Sequence, residues 1–211
     1  MNYVLDRIRR VVGLKQNLLI TSEAREAYKK YSVQIGSGHI ARLVSIQALI
    51  NICKNEKPRS ILEMGGGIGT FTNILVNYSN AFIDVYEDNA FCADRLRENL
   101  KGSKHRYNLI SSYRILPPNK EYDLIIIDCG SGAEGDGGYM DAVFDFVMNI
   151  DRIKTIYIEG RRTLQRKAAK RALRKKGYFY LPISYSDEFI DGMRQKGGQK
   201  IVCFKLLPFG L

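Results

Sequence analysis

Three carboxylates at the ends of apolar runs, the first followed by a glycine-rich turn, are the residues of this chain best placed to do chemistry. Ile61-Leu62-Glu63-Met64-Gly65-Gly66-Gly67-Ile68-Gly69-Thr70 reads as a buried strand that ends in an acid and breaks into a turn opening a helix. Glycine lets backbone N–H groups approach a ligand closely, and a turn that feeds a helix N-terminus suits a nucleotide-like molecule. Spacing separates the kinds of turn. A dinucleotide fingerprint needs Gly-x-Gly-x-x-Gly, and counting from Gly65 or Gly67 puts Thr70 or Thr72 at the third glycine. No Gly-Lys-Ser/Thr follows, which excludes a phosphate-cradling P-loop. What stands is acid-x-Gly-x-Gly-x-Gly: Glu63, Gly65, Gly67 and Gly69. Taken alone, this turn also fits a plain strand-to-helix connection capped by Glu63.

Two further acids follow in order. The apolar run Ala81 to Val85 leads into Tyr86-Glu87-Asp88, and Glu87 lies close to the offset of about 20 residues at which a second-strand acid meets a ribose. A carboxylate there can accept from both ribose hydroxyls. Glu121-Tyr122-Asp123-Leu124-Ile125-Ile126-Ile127-Asp128 has the continuous apolar character of a central parallel strand covered on both faces. Asp128 ends it, where ligands collect in open α/β sheets.

These elements, in this order, resemble the class I S-adenosylmethionine-dependent methyltransferases, over roughly residues 36 to 206. The resemblance implies a three-layer, Rossmann-like α/β fold with a mostly parallel seven-stranded sheet whose last strand is antiparallel. It implies S-adenosyl-L-methionine as cofactor, and a sulfonium cation explains an acid where a dinucleotide site would avoid one. In that family the acid in the place of Glu63 reaches the amino-acid end of the cofactor, directly or through water. The implied cofactor set is Glu63, Gly65, Gly67, Gly69, Glu87, Asp88, Asp128 and the pair Ser111 and Ser112, which end the third methyltransferase strand beside the adenine. Serine is also ordinary turn chemistry. Ile35-Gly36-Ser37-Gly38-His39-Ile40 resembles the segment that closes over the cofactor in small-molecule O-methyltransferases, where His39 is either a base or orienting group, or a neutral helix cap.

The loop Asp128-Cys129-Gly130-Ser131-Gly132-Ala133-Glu134-Gly135-Asp136-Gly137-Gly138-Tyr139 resembles the Asp-Gly-Pro-x-Gly loop of a subgroup that modifies sugars and polysaccharide uronic acids, with Cys129 and Ser131 in place of Gly and Pro. Glu159-Gly160-Arg161-Arg162 matches that subgroup's strand-end acid and basic helix, which implies Glu159, Arg161 and Arg162 as acceptor-binding residues. The Asn/Asp-Pro-Pro-Tyr/Phe sequence of many N-methyltransferases is absent, which leaves an oxygen acceptor. The cofactor is already activated, so alignment and proton removal suffice; Asp128 is the first candidate base and His39 the second. Asp128 also fits a role limited to fixing the loop. Oxygen ligands at Asp128, Asp136 or Asp141 suit Mg²⁺, but their spacing does not match the metal-dependent catechol-type pattern, so no metal is expected. Two alternatives stand beside O-methylation. One is RNA methylation. The other is an aminopropyltransferase-like or non-catalytic cofactor binder, faintly suggested by Gly65-Gly66-Gly67.

The remaining chain supplies the elements that position these groups. With 211 residues and 45% hydrophobic content it can bury one substantial core. We divide it into an N-terminal helical cap, 1–35, and a cofactor-binding domain, 36–211. Val4, Leu5, Ile8, Val11 and Val12 form an amphipathic face that covers the cleft or meets a partner, and a homodimer is compatible with it. Helices are expected over 40–53, 89–101, 139–150 and 161–176, and strands over 107–111, 155–159, 178–182 and 201–207, with 184–199 as a polar connection. Cys53, Cys92, Cys129 and Cys203 lack metal-site spacing. There is no span-length apolar run and no secretory pattern, and a cytoplasmic location is expected. The net charge of +11 favours anionic partners. Much of it lies in 161–176, which holds nine basic residues and no acid, with Leu164, Ala168, Ala169, Ala172 and Leu173 as its inner face. For the distal lysines a solvated helix surface is the reading preferred, whereas Arg161 and Arg162 stand at the ligand-bearing edge.

Overall fold

The computed structural model describes residues 14–129, 137–186 and 196–205. The amphipathic segment Val4–Val12 and residues 130–136 of the glycine-rich loop lie outside them. Among the described residues one sheet is built from β1 (Leu14–Asn17), β2 (Ser60–Met64), β3 (Phe82–Tyr86), β4 (Tyr107–Ile110), β5 (Glu121–Ile127), β6 (Arg152–Ile158), β7 (Tyr178–Ser186) and β8 (Lys196–Lys205). Their spatial order is β1-β7-β8-β6-β5-β2-β3-β4. Strand β8 is antiparallel to both its neighbours, β6 and β7, and every other pairing is parallel.

The sheet is the mostly parallel α/β sheet expected, with its last strand antiparallel, but it has eight strands rather than seven. The extra one is β1, paired to β7 from Leu14↔Ile183 to Asn17↔Ser186. Its sequence, LKQN, is exposed throughout. An edge strand held by backbone hydrogen bonds needs no apolar period, so residues 14–17 carried no signal and fell inside the region read as helical. Helix α1 (Ser22–Ser32) follows, burying Ala24 and Tyr31. The connection expected at 184–199 is partly strand as well. Gly198 lies so close to β6 that a Cβ there would stand 2.4 Å from the Ile158 carbonyl oxygen. Polar residues serve this pairing, with Gln199 Nε2 donating to Ser184 Oγ at 3.0 Å.

Alternation along the strands makes two cores. Ile61 of β2, Leu124 and Ile126 of β5 and Tyr157 of β6 face α2 (Leu43–Glu56), α3 (Thr70–Tyr78) and Leu96 of α4 (Ala90–Asn99). Leu62, Met64, Ile125, Ile127, Ile156 and Ile158 face α5 (Gly137–Asn149) and α6 (Thr163–Lys175). This double burial is why β5 reads as an unbroken apolar run. On α6 the buried set is Gln165, Ala168, Ala169, Ala172 and Leu173. Gln165 replaces the expected Leu164 because its Nε2 donates to the Cys129 carbonyl at 2.7 Å. No helix among the described residues is long and apolar enough to cross a membrane.

Candidate functional site

Strand order reverses at β2: β3 and β4 lie on one side, β5 and β6 on the other. A crevice opens beyond the C-terminal ends at such a point. Register determines what lines it. Leu109, Val85, Glu63, Ile126 and Tyr157 stand side by side across β4, β3, β2, β5 and β6. Two residues further along each strand, on the same face, come Ser111, Glu87, Gly65, Asp128 and Glu159. Backbone bonds carry the ladder into this row: Gly65 N–H donates to Tyr86 O and Asp128 N–H to Met64 O, both at 2.9 Å, and Glu159 N–H to Ile127 O at 3.0 Å. Residues scattered over nearly a hundred positions of sequence therefore form one line, with a glycine at its centre.

That glycine is required. Gly65 has φ +91°, and a Cβ on it would lie 2.5 Å from the Asp128 carbonyl oxygen. Gly67, at φ +52°, differs: a Cβ there meets nothing within 4 Å. The turn is held by Glu87, whose Oε2 accepts from Gly67 N–H at 2.6 Å and whose Oε1 accepts from Asn89 N–H at 2.9 Å. Burial raises the Glu87 carboxyl above its ordinary range against these two bonds. Gly69, at φ +93°, begins α3.

The row and the turn enclose a cleft of about 670 Å³, within the range of about 300–1,000 Å³ common for small-molecule sites. Of the expected residues, Gly65, Gly67, Glu87, Asp88, Ser111, Ser112, Asp128 and Arg162 line it, as do Gly36 and Ile40 of the segment before β2. Glu63 stands behind the wall. It is 0% exposed, its Oε2 accepts from Thr72 Oγ1 at 2.7 Å, and its buried Oε1 has no partner. Burial, reinforced by Asp128 and Glu87, holds its carboxyl well above the usual carboxylate range, with Thr72 opposing.

Asp128 is tied to the first turns of α6. Its Oδ1 accepts from Arg162 Nη2 at 2.6 Å, Arg162 Nη1 donates to the Cys129 carbonyl, and Glu159 Oε2 lies 3.5 Å from Arg162. Burial and the neighbouring Glu159 push the Asp128 carboxyl well above its ordinary range, and Arg162 pulls it back. Glu159 is itself buried and accepts from Ser45 Oγ at 3.1 Å. The structure thus brings Arg162 into the cleft wall with its guanidinium bound to the Asp128 side chain. Arg161 is exposed and Glu159 lies behind the wall. Asp141 stands 4.0 Å from Arg171 on the outer surface, and Asp136 is outside the described residues. His39 ends a 3₁₀ turn, Ser37–His39; its side chain is not among those described.

Sequence reasoning missed an aromatic wall. Tyr86 and Tyr113 each meet the Phe146 ring edge to face, at 5.0 and 5.6 Å between centroids, and all three line the cleft with Met64, Cys92 and Arg114. Tyr86 stood beside Glu87 in the sequence and was available to be read. Phe146 was not, because its position in α5 has no distinguishing spacing.

The chain matches no family model and no curated protein. Among solved structures it is similar to an O-methyltransferase from Bacillus cereus in complex with SAH, with a TM-score of 0.65 and 15% identity over 96% of this chain and 97% of that one. It is similar also to the O-methyltransferase TomG from Streptomyces achromogenes, involved in tomaymycin synthesis and solved with SAM, with a TM-score of 0.59 and 10% identity over 95% of each chain. A proposed RNA methyltransferase from Pyrococcus horikoshii has a TM-score of 0.56 and 14% identity over 88% of this chain and 98% of its own. The likeness is one of fold: the three-layer Rossmann-like methyltransferase architecture.

Proposed function

We propose that this chain is an S-adenosylmethionine-dependent methyltransferase that methylates an oxygen of a small or sugar-containing acceptor. The observation that carries this reading is the acidic row at the sheet's reversal in a chain whose net charge is +11. Glu87, Asp88 and Asp128 line the cleft, and Glu63 stands behind it with a buried, unpartnered carboxylate oxygen. Burial makes ionising these acids costly, and a cation bound in the cleft would offset that cost. A ligand bearing a sulfonium and an ammonium meets that need, and a pyrophosphate does not.

The residues present fit such a cofactor. Glu87 retains acceptor capacity beyond its two backbone bonds and would hold ribose hydroxyls, while the open face of Gly67 lets the chain approach closely. Ser111 and Ser112 stand at the end of β4, where the adenine edge would lie. Glu63 and Asp128 would supply carboxyl oxygens to the cationic end, whose positive charge would favour their ionised forms. When bound, S-adenosylmethionine supplies a methyl group on positively charged sulfur. The chain's own tasks are to align the acceptor and take its proton. Asp128, which lines the cleft and whose carboxyl burial raises above its ordinary range, is the group suited to that transfer. Oxygen is favoured because β5 runs out into Asp128-Cys129-Gly130-Ser131 without the Pro-Pro-aromatic sequence that grips an amino group.

Calorimetric titration with S-adenosylmethionine and S-adenosylhomocysteine tests the cofactor, and labelled methyl transfer onto sugars, phenols and RNA tests the acceptor. The reading expects micromolar binding of both compounds. Binding of neither, with tight binding of decarboxylated S-adenosylmethionine, would move the chain to the aminopropyl-transfer class.

A further inference from the structure

Several cations away from α6 are paired with acids. Lys54, Arg95, Arg97, Lys120 and Lys200 each lie within 3.4 Å of a carboxylate. One edge of α6, beside its buried face, carries three cations that are not so paired. Arg166, Lys170 and Arg174 recur every fourth residue, so they form one stripe along the helix. Among the described residues no carboxylate stands within ion-pair distance of any of the three. Arg166 donates to the Gly160 carbonyl and keeps a buried Nε without a partner. Arg174 Nη1 donates to Tyr180 Oη at 3.1 Å. Arg166 and Lys170 are half-buried, and Glu159, the carboxylate whose charge reaches Arg166, is already engaged by Arg162 and Ser45.

Like charges at this spacing oppose the helix, and partial burial removes the water that would screen them. Burial first, then Arg166 and Arg174, hold the Lys170 ammonium below its ordinary range. The folded chain therefore maintains a strip of positive potential at a cost to itself, and an anion laid along it relieves that cost. Four helical residues rise about 6 Å, a step on the scale of adjacent phosphates in an extended strand, and arginine forks match phosphate oxygens. In a 1,4-linked polyuronate successive carboxylates turn away from one another, which suits a single stripe less well. The stripe begins one helical turn past Arg162, which lines the cleft, so its upper end lies beside the cleft wall.

We propose that the Arg166–Lys170–Arg174 stripe binds the phosphate backbone of a single-stranded nucleic acid running toward the cleft. A ribose hydroxyl at the cleft would then be the sugar oxygen that accepts the methyl group. That last assignment rests on the methyl-transfer reading, and the binding does not.

The test is binding of a fluorescently labelled single-stranded RNA by the full chain across a salt series, beside three variants. One is Arg166→Gln/Lys170→Gln/Arg174→Gln, one is Lys170→Gln alone, and one is a charge-matched control, Lys29→Gln/Lys101→Gln/Lys104→Gln. Each phosphate neutralised on a single strand adds about 0.7 to the slope of log K against log salt, so the stripe triple lowers the slope by about 2. Lys170→Gln, which leaves the Gly160 and Tyr180 bonds in place, lowers it by about 0.7, and the control leaves it near wild type. Equal losses in the control and the stripe triple would overturn the proposal, as would absence of RNA binding at low salt. So would polygalacturonate competing better than RNA. Equal binding of RNA and single-stranded DNA supports it and identifies the phosphates as the common feature; preference for RNA adds the 2′-hydroxyl. Binding with this salt pattern but without S-adenosylmethionine binding would keep the stripe and remove the methyl-transfer reading.

Discussion

Replacing Glu87 by glutamine separates what this residue does for the fold from what it does for a ligand. Both carboxylate oxygens accept backbone N–H groups, Oε2 from Gly67 at 2.6 Å and Oε1 from Asn89 at 2.9 Å. An amide has one oxygen, so in either orientation its NH₂ faces a backbone donor. One charge-assisted bond is lost, which costs about 1.5–3 kcal/mol. At about 2–4 °C per kcal/mol for a chain of this size, the melting temperature should fall by about 3–12 °C. If ribose hydroxyls also donate to this carboxylate, a second bond of the same kind disappears, and S-adenosylhomocysteine should bind about 10- to 150-fold more weakly. Thermal melts of the unliganded protein measure the first effect and calorimetry well below the variant's melting temperature measures the second. A lowered melting temperature with unchanged affinity would refute the ribose assignment and leave Glu87 as a brace for the glycine turn. No change in either would refute the turn geometry itself.

Three other outcomes follow from neighbouring residues. Gly67→Ala places its methyl in open space at φ +52°, so it should cost only about 1–2 kcal/mol in melts while weakening cofactor binding; Gly65→Ala, driven onto the Asp128 carbonyl oxygen at 2.5 Å, should instead fail to accumulate as folded protein, and equal behaviour of the two would contradict the site. The Glu63 carboxyl is raised by burial, so its contribution to stability is complete below its ordinary value and is lost as pH rises through the raised one. The unliganded wild type should therefore lose melting temperature as pH rises above the ordinary glutamate range, and Glu63→Gln should flatten that decline; an unaltered decline would exclude Glu63 as its source. Lys57 ends α2 in the left-handed region at φ +45°, where glycine carries no penalty, so Lys57→Gly should raise the melting temperature by about 2–4 °C, and a fall would show that the lysine side chain contributes there.

Much of this protein was legible in one dimension. Apolar runs ending in Glu63, Glu87 and Asp128, separated by helix-length segments, determined the parallel α/β sheet and the order of its acids. The glycines after Glu63 marked the turn, because only a residue without Cβ can pass the Asp128 carbonyl as Gly65 does. Strand β1 was not legible, since four exposed residues at a sheet edge leave no periodic trace. Nor was the direction of Arg162: the sequence placed it at the ligand-bearing edge, and only the fold turned its guanidinium onto Asp128 and Cys129. The aromatic wall of Tyr86, Tyr113 and Phe146 comes from three separate elements whose meeting depends on how α5 lies across the sheet. Above all, the row from Ser111 to Glu159 exists through register. Local sequence chooses which residues end a strand, because burial and turn propensity act over a few neighbours. Which strand ends stand level is decided by pairing across the sheet, and a slip of one residue would have turned the same acids to the other face.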